Sequence, residues 1–159
     1  MKTSKECVAY LKGYERFSAT PYDDGAGVMT IGYGHAIKKG ERFDAISESQ
    51  AADLFARDLE ATEDIVNRCA RNLTQSQFDA LASLAYNIGP DAFAKSTLVS
   101  YLNGGATRPA YPTTESAFKA FDKASNPKTG RKETMPGLVN RRADDWNIYA
   151  NGKYNVKRG

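Results

Sequence analysis

Four side chains stand out as candidates to hold or move a proton or a water within one glycine-rich stretch, Tyr14 to His35 (YERFSATPYDDGAGVMTIGYGH). They are Glu15, Asp24, Thr30 and His35, the last being the only histidine of the chain. Glycoside hydrolysis commonly uses one carboxylic acid to protonate the leaving oxygen and a second carboxylate to activate water or attack the sugar. Glu15 ends an amphipathic pattern and Asp24 sits in a polar turn, and unlike surroundings are how two carboxyls acquire opposite protonation states. A helix C-terminus is an unfavourable place for a carboxylate because the macrodipole is negative there, which suits Glu15 to the acid role. His35 is an alternative acid-base by residue type, although a single histidine after a Gly-x-Gly turn more often serves as scaffold. Thr30, taken alone, reads as a strand residue kept for packing.

The elements that must position these groups follow from pattern. Thr3-Ser-Lys-Glu6 reads as a capping box, and Val8, Leu11 and Tyr14 recur at helical spacing, so a first helix is expected from residue 4 to about 13–15, with Glu15 at its end. Pro21, Asp23-Asp24-Gly25-Ala26-Gly27 and the β-branched run VMTIGYG predict a small antiparallel sheet with DDGAG at or beside its hairpin turn. Ser47-Glu-Ser-Gln50 opens a long helix over about 48–70, with Ala51, Leu54, Phe55, Leu59, Thr62, Val66 and Cys69 along one stripe. Thr74-Gln-Ser-Gln77 opens another through Phe78, Leu81, Leu84, Ala85 and Ile88, stopping at Gly89-Pro90. Short helices are expected around 96–103 and 114–123, the latter with Phe118 and Phe121 inward. Residues 126–137 (NPKTGRKETMPG) read as a basic loop, and a last helix is expected over about 138–150, with Leu138, Trp146 and Tyr149 as core candidates and Gly152 as its stop. The tail KYNVKRG is expected on the surface.

Composition narrows the class. At 159 residues, 41% apolar and 26% charged, the chain suits one folded domain. No segment approaches the roughly 20 apolar residues of a membrane span, so stable membrane insertion is not expected. The N-terminus lacks the apolar run of a secretory signal, pointing to synthesis in the cytoplasm. The net charge of +3 is weighted towards Lys119, Lys123, Lys128, Arg131, Lys132, Arg141, Arg142, Lys153, Lys157 and Arg158. That distribution favours a polyanionic surface such as an acidic wall polymer; nucleic-acid binding has no other support and is not expected. Cys7 and Cys69 lie on apolar helix faces, and whether they pair is left open. With no CxxC and no His/Cys cluster, neither metal nor cofactor is implied.

The order of the string carries more than its spacing. Glu15 closing a helix, Tyr22-x-Asp24-Gly25 in a hairpin, and Thr30-x-Gly32-x-Gly34-His35 resemble the signature of the phage-type lysozymes, glycoside hydrolase family 24. Asn87-Ile-Gly89 with Phe93 and Ser96-Thr97-Leu98 is similar to the family's mid-lobe motif, and Pro136-Gly-Leu-Val-Asn-Arg141-Arg142 to its last-helix motif. Asp144-Asp145-Trp146 departs from the more usual acidic-aliphatic continuation, and Thr107 to Thr114 looks like a loop of this chain's own.

The resemblance implies an α+β, lysozyme-like fold: a small antiparallel sheet lobe (about 16–46) joined by a long helix to a larger helical lobe (about 47–152, with an N-terminal helix 3–14), all one domain. It implies hydrolysis of the β-1,4 bond between N-acetylmuramic acid and N-acetylglucosamine in peptidoglycan for host lysis. Glu15 would be the general acid, Asp24 and Thr30 would hold and activate the water, and the anomeric centre would be inverted. Tyr86, Asn87 and Ser96 are candidates to line the cleft for N-acetyl sugars, with core packing an equal reading for Tyr86. His35 is expected to pair with Asp58. Arg141, in preference to Arg142, is expected to pair with Glu15, because the last helix must pack beside the first. The resemblance further implies peptidoglycan as the partner and a monomeric enzyme, made in host cytoplasm and released through a separate membrane pore protein. An antibacterial effector, a lytic transglycosylase and a non-catalytic wall-binding module are the alternatives.

Overall fold

The computed structural model describes residues 1–25 and 27–155; Ala26 of the expected hairpin turn and the last four residues of the tail lie outside the described residues. The first helix, α1 (Lys5–Glu15), buries Cys7, Tyr10 and Leu11, one face at helical spacing. Its cap is not the expected Thr3–Glu6 box. Ser4 caps it, accepting from the Cys7 amide at 3.1 Å. Thr3 is drawn away by a long-range partner: its amide and hydroxyl both donate to Glu63, at 2.8 and 2.6 Å.

After α1 the chain reverses at Arg16, whose φ of 55° is unusual for a residue with a side chain. Three antiparallel strands follow, β1 (Ser18–Asp23), β2 (Met29–Gly32) and β3 (His35–Ala36), in the order β1-β2-β3. Tyr22 pairs with Thr30 and Ile31 with His35. The hairpin turn is closed by Asp23, whose Oδ1 accepts from the amides of Gly25 and Gly27 at 2.8 and 3.1 Å, an Asx-type arrangement.

The long helix α2 (Glu48–Cys69) starts with the expected Ser47/Gln50 box and ends at Ala70. Twenty-two residues give a rod of about 33 Å. Its first turns pack on β2 and β3 and its later turns on α3 (Gln75–Ile88), so one element carries both the sheet and the helices. Thr74 and Gln77 form the expected box on α3. Residues 78–85 of α3 are all buried, making it the central helix, wrapped by α1, α2 and the last helix. Ala80, Ala82 and Ala85 leave no room-filling side chain between the backbones, which lets the neighbours approach closely.

Pro90 does not merely stop α3. After Gly89, at φ 93°, it opens a short helix α4 (Pro90–Ala94), because proline suits the first helical turn. The next elements are α5 (Thr97–Leu102) and α6 (Thr114–Lys119). The latter is shorter than expected, and residues to 125 leave it for a strand. The expected basic loop is in part a hairpin, β4 (Lys123–Ser125) paired with β5 (Lys132–Thr134) around the turn at Asn126–Gly130. Its strands are short and largely exposed, so they carry no apolar alternation from which to recognise them. The last helix, α7 (Pro136–Asn151), begins two residues earlier than expected, at proline, and ends at the expected Gly152 in the left-handed region. Phe118 is fully buried, and Trp146 and Tyr149 stack at 4.9 Å and pack on it at 5.6 and 5.9 Å; Ile148 is the fully buried apolar residue of α7, whereas Leu138, expected in the core, is only half-buried. Cys7 and Cys69 are both free thiols.

Candidate active site

Glu15 is the last residue of α1, and the sharp turn at Arg16 ends the helix there. Its side chain is 16% exposed, and its Oε1 accepts from Arg141 Nη2 at 2.6 Å. The Arg141 guanidinium is 4.9 Å from the centre of the Tyr14 ring, so the cation is set by a carboxylate and an aromatic face at once. Tyr14 in turn donates its hydroxyl to Asp144 of α7. On the other side Glu15 meets backbone. A Cβ at Gly34 would come within 2.6 Å of Glu15 Oε2, and Gly34 has φ 77°, so both space and conformation require glycine.

Asp24 and Thr30 come from the adjacent hairpin. Asp24 is exposed beyond the last β1–β2 pair, with its amide donating to the Val28 carbonyl and its Oδ1 accepting from the Val28 amide at 3.2 Å. Thr30 is buried, with its hydroxyl donating to the Val28 carbonyl at 3.1 Å. Both therefore hang on the same turn residue. Tyr22, opposite Thr30 in the ladder, has its phenol pushed up by partial burial, then by the negative charges of Glu15 and Asp24.

His35 is buried and fully engaged. Nδ1 lies 2.7 Å from Asp58 Oδ2 and Nε2 lies 3.0 Å from Glu41 Oε1, leaving neither nitrogen free to act on a substrate. The ring also packs edge-on against Phe43. The Glu41 carboxyl is held below the usual carboxylate range by the Lys38 amide, then by the His35 hydrogen bond. Glu41 has no signal in the sequence, because the loop after β3 is set only by its contacts.

Of the sugar-facing candidates, Tyr86 donates its hydroxyl to the Tyr33 carbonyl at 2.7 Å and packs on Phe55, joining α3 to the sheet turn. Burial, then Glu15, pushes its phenol up. Ser96 is a helix cap, accepting from the Val99 amide and donating to the Phe93 carbonyl. Asn87 is half-buried beside Tyr86. Behind Tyr86, Gly34, His35, Asp58, Thr62 and Pro90 line a cavity of about 290 Å³. No group of three or more His, Cys, Asp or Glu able to hold a metal occurs among the described residues.

Three buried acids escaped the sequence reading. Asp145 is fully buried and accepts from Tyr10 and Ser83, both at 2.7 Å, with Arg142 at 3.0 Å. Asp79, also fully buried, accepts from Ser4 and Tyr154, and Glu63 from Thr3. Asp79 carries a signal in retrospect, an acid amid the apolar face of FDALASLA, whereas nothing local distinguishes Glu63.

Comparison with known proteins gives the same frame. Residues 12–145 match the family model described as phage lysozyme. The endolysin of Bacillus phage PZA is 40% identical over 132 residues, covering 82% of this chain and 47% of that protein, so the chain spans about half that relative's length. The endolysin of Acyrthosiphon pisum secondary endosymbiont phage 1 is 34% identical over 143 residues, covering 89% of this chain and 93% of that one. Among solved structures, the endolysin from Escherichia coli O157:H7 phage FAHEc1 superposes with a TM-score of 0.81 at 31% identity, covering 97% of this chain and 96% of the other. A glutamate at a helix end held by a last-helix arginine, a carboxylate-bearing hairpin beside it and a match from residue 12 to 145 lead to one assignment: the chain belongs to the phage lysozyme family.

Proposed function

We propose that the chain hydrolyses the β-1,4 bond between N-acetylmuramic acid and N-acetylglucosamine of peptidoglycan, as an endolysin. Glu15 is the general acid that protonates the leaving oxygen. Asp24 and Thr30, both carried by the β1–β2 hairpin, hold the water that attacks the anomeric carbon from the opposite face, with inversion. His35, Asp58 and Arg141 support the site. Asn87 contributes a sugar-facing amide, and Tyr86 and Ser96 shape the wall through the contacts they make. The observation that carries the reading is Glu15 at the end of α1, held at 2.6 Å by Arg141 of the last helix. Arg141 lowers the cost of the carboxylate left after proton donation, and its fixed position means that little reorganisation is needed as charge develops.

The chain acts as one domain and one monomer, is made in the host cytoplasm, and reaches the wall through a separate membrane pore protein. No helix of the described residues is long and apolar enough to cross a membrane. The test is turbidity loss of purified sacculi with the wild type, Glu15→Gln and Asp24→Asn, with mass and anomer analysis of the products. Glu15→Gln is expected to abolish activity in a folded protein, and Asp24→Asn to cost heavily. Reducing-end products of inverted configuration are expected; anhydro sugars would identify a transglycosylase, and lysis surviving Glu15→Gln would sink the assignment.

A further inference from the structure

Glu15 and Arg141 meet as part of a wider contact, because each has a neighbour on its own helix that joins it. Tyr14 precedes Glu15 on α1, and Asp144 follows Arg141 by three residues on α7, on the same face of that helix. Arg141 donates to Glu15 through Nη2 at 2.6 Å, and its guanidinium lies over the Tyr14 ring, 4.9 Å from the ring centre. Tyr14 reaches back to α7 and donates its hydroxyl to Asp144. Its ring also meets the Tyr10 ring edge-on at 5.1 Å. Two consecutive residues of α1 thus clasp two residues of α7.

Arg141 needs the aromatic half of that clasp. It is 7% exposed, and its Nε is buried with no hydrogen-bond acceptor among the described residues, so the Nε edge of the guanidinium fork grips nothing there. A bond through Nη2 without Nε fixes a point and not a plane. The face of an aromatic ring attracts a cation, more strongly where water is excluded. Burial opposes the Arg141 charge, but Glu15, then Asp145, outweigh it and raise the guanidinium above its usual value. Burial, then the Asp144 bond, pushes the Tyr14 phenol up, so Tyr14 stays a neutral donor.

We propose that Tyr14 is a positioning residue of the hydrolytic site: its ring, steadied by Asp144, holds the Arg141 guanidinium in the place from which it meets the Glu15 carboxylate as charge develops there. This rests on Glu15 being the general acid. The attraction between Arg141 and Glu15 grows as the acid gives up its proton, so a guanidinium already in place spares reorganisation in the transition state. A ring that only filled space could be replaced by another apolar side chain of similar size. A ring that holds a cation cannot, because leucine has no negative face to offer. Asp144 has two functions here, orienting the ring and placing a negative charge one turn from Arg141. Tyr14→Phe removes the first and keeps the second.

Steady-state kinetics on purified sacculi, with kcat and KM separated, test this in the full chain. Tyr14→Leu is expected to lower kcat roughly ten-fold with KM little changed, the scale of one desolvated cation–aromatic contact. Tyr14→Phe keeps the ring face and loses only the Asp144 bond, and is expected to hold kcat within about three-fold of the wild type. In nuclear magnetic resonance, the Arg141 side-chain N–H protons should show the upfield shift of protons over a ring in the wild type and in Tyr14→Phe, and lose it in Tyr14→Leu. Equal kcat losses in the two variants, a raised KM with kcat unchanged, or a lower Tm without a lower kcat would each overturn the inference. If Tyr14→Leu does not fold, Tyr14→Phe and Asp144→Ala decide it. Both free the ring, so the double variant should lose no more kcat than the larger single loss, and additive losses overturn the inference. Retained activity in Glu15→Gln would instead overturn the acid assignment, whereas wild-type kcat in Tyr14→Leu beside an inactive Glu15→Gln overturns only the role of Tyr14.

Discussion

Two backbone positions beside Glu15 show how closely the acid is confined. Gly34 gives its carboxylate the space that a Cβ would take, at 2.6 Å from Oε2. Gly34→Ala is expected to push the acid away from the bond and lower sacculus turnover by roughly a hundred-fold, the scale of an ångström-sized misplacement, with a near-native circular dichroism spectrum. Unchanged turnover would mean that the turn moves and the acid does not. Arg16, immediately after Glu15, holds φ 55° and ψ 150°. A residue with a side chain pays for that conformation, and Arg16→Gly should stabilise the fold by about 1 kcal/mol, seen as a raised urea midpoint. A lower midpoint would show that the Arg16 side chain contributes more than the strain costs.

Among elements, α2 is clasped to the N-terminus by Asn67, which bonds Met1, and by the buried carboxylate of Glu63. Glu63 Oε1 takes the Thr3 amide and hydroxyl, and Oε2 lies 3.2 Å from Lys2 Nζ. Burial pushes Glu63 up, but the Thr3 bonds and Lys2 together outweigh it and hold the carboxyl below the usual range. A depressed folded-state value means that this stability is present above the unfolded value of about 4.3 and is lost as pH falls through the lower folded value. Glu63→Gln should therefore be clearly less stable than the wild type at pH 7, with the gap in urea midpoint closing as pH drops below about 4. A gap independent of pH would mean that shape, not charge, makes the clasp.

For the molecule as a whole, α3 is the shared centre. Leu84 is fully buried on a helix that packs against α1, α2 and α7. Leu84→Ala is expected to cost about 2–5 kcal/mol. Because α2 runs from β2 to α3, the sheet should unfold with the helices, giving one transition in both far- and near-ultraviolet circular dichroism. Two separated transitions would divide the chain into independent units and set aside the single-domain proposal. The His35 contacts with Asp58 and Glu41 are the polar counterpart of this coupling, fastening β3 and the loop after it to α2.

Local chemistry was legible in the sequence wherever a residue's partners lie within a turn or two. The Ser47/Gln50 and Thr74/Gln77 boxes, the Asp23–Gly27 turn and the Gly152 stop are of this kind, and so is the end of α1 at Glu15. The order of Glu15, Asp24, Thr30 and His35, with the two later motifs, was enough to reach the family. Thr3 shows the boundary of that method: its local pattern is a good cap, yet a glutamate sixty residues away takes both its donors. The β4–β5 hairpin stayed hidden because exposed strands need no apolar alternation, and α4 because a proline that ends one helix also starts another. The Glu15–Arg141 pair was expected from the order of the helices, but the Arg142–Asp145 pair beside it was beyond sequence. Arg141, Arg142 and Asp145 lie within five residues on one helix, and only the packing of α7 on α1 and α3 decides which guanidinium meets the acid and which is left to Asp145. Residue types and order thus determined the fold class and the candidate groups, whereas long-range burial, which turns a charge from solvated to interacting, was decided by tertiary structure alone.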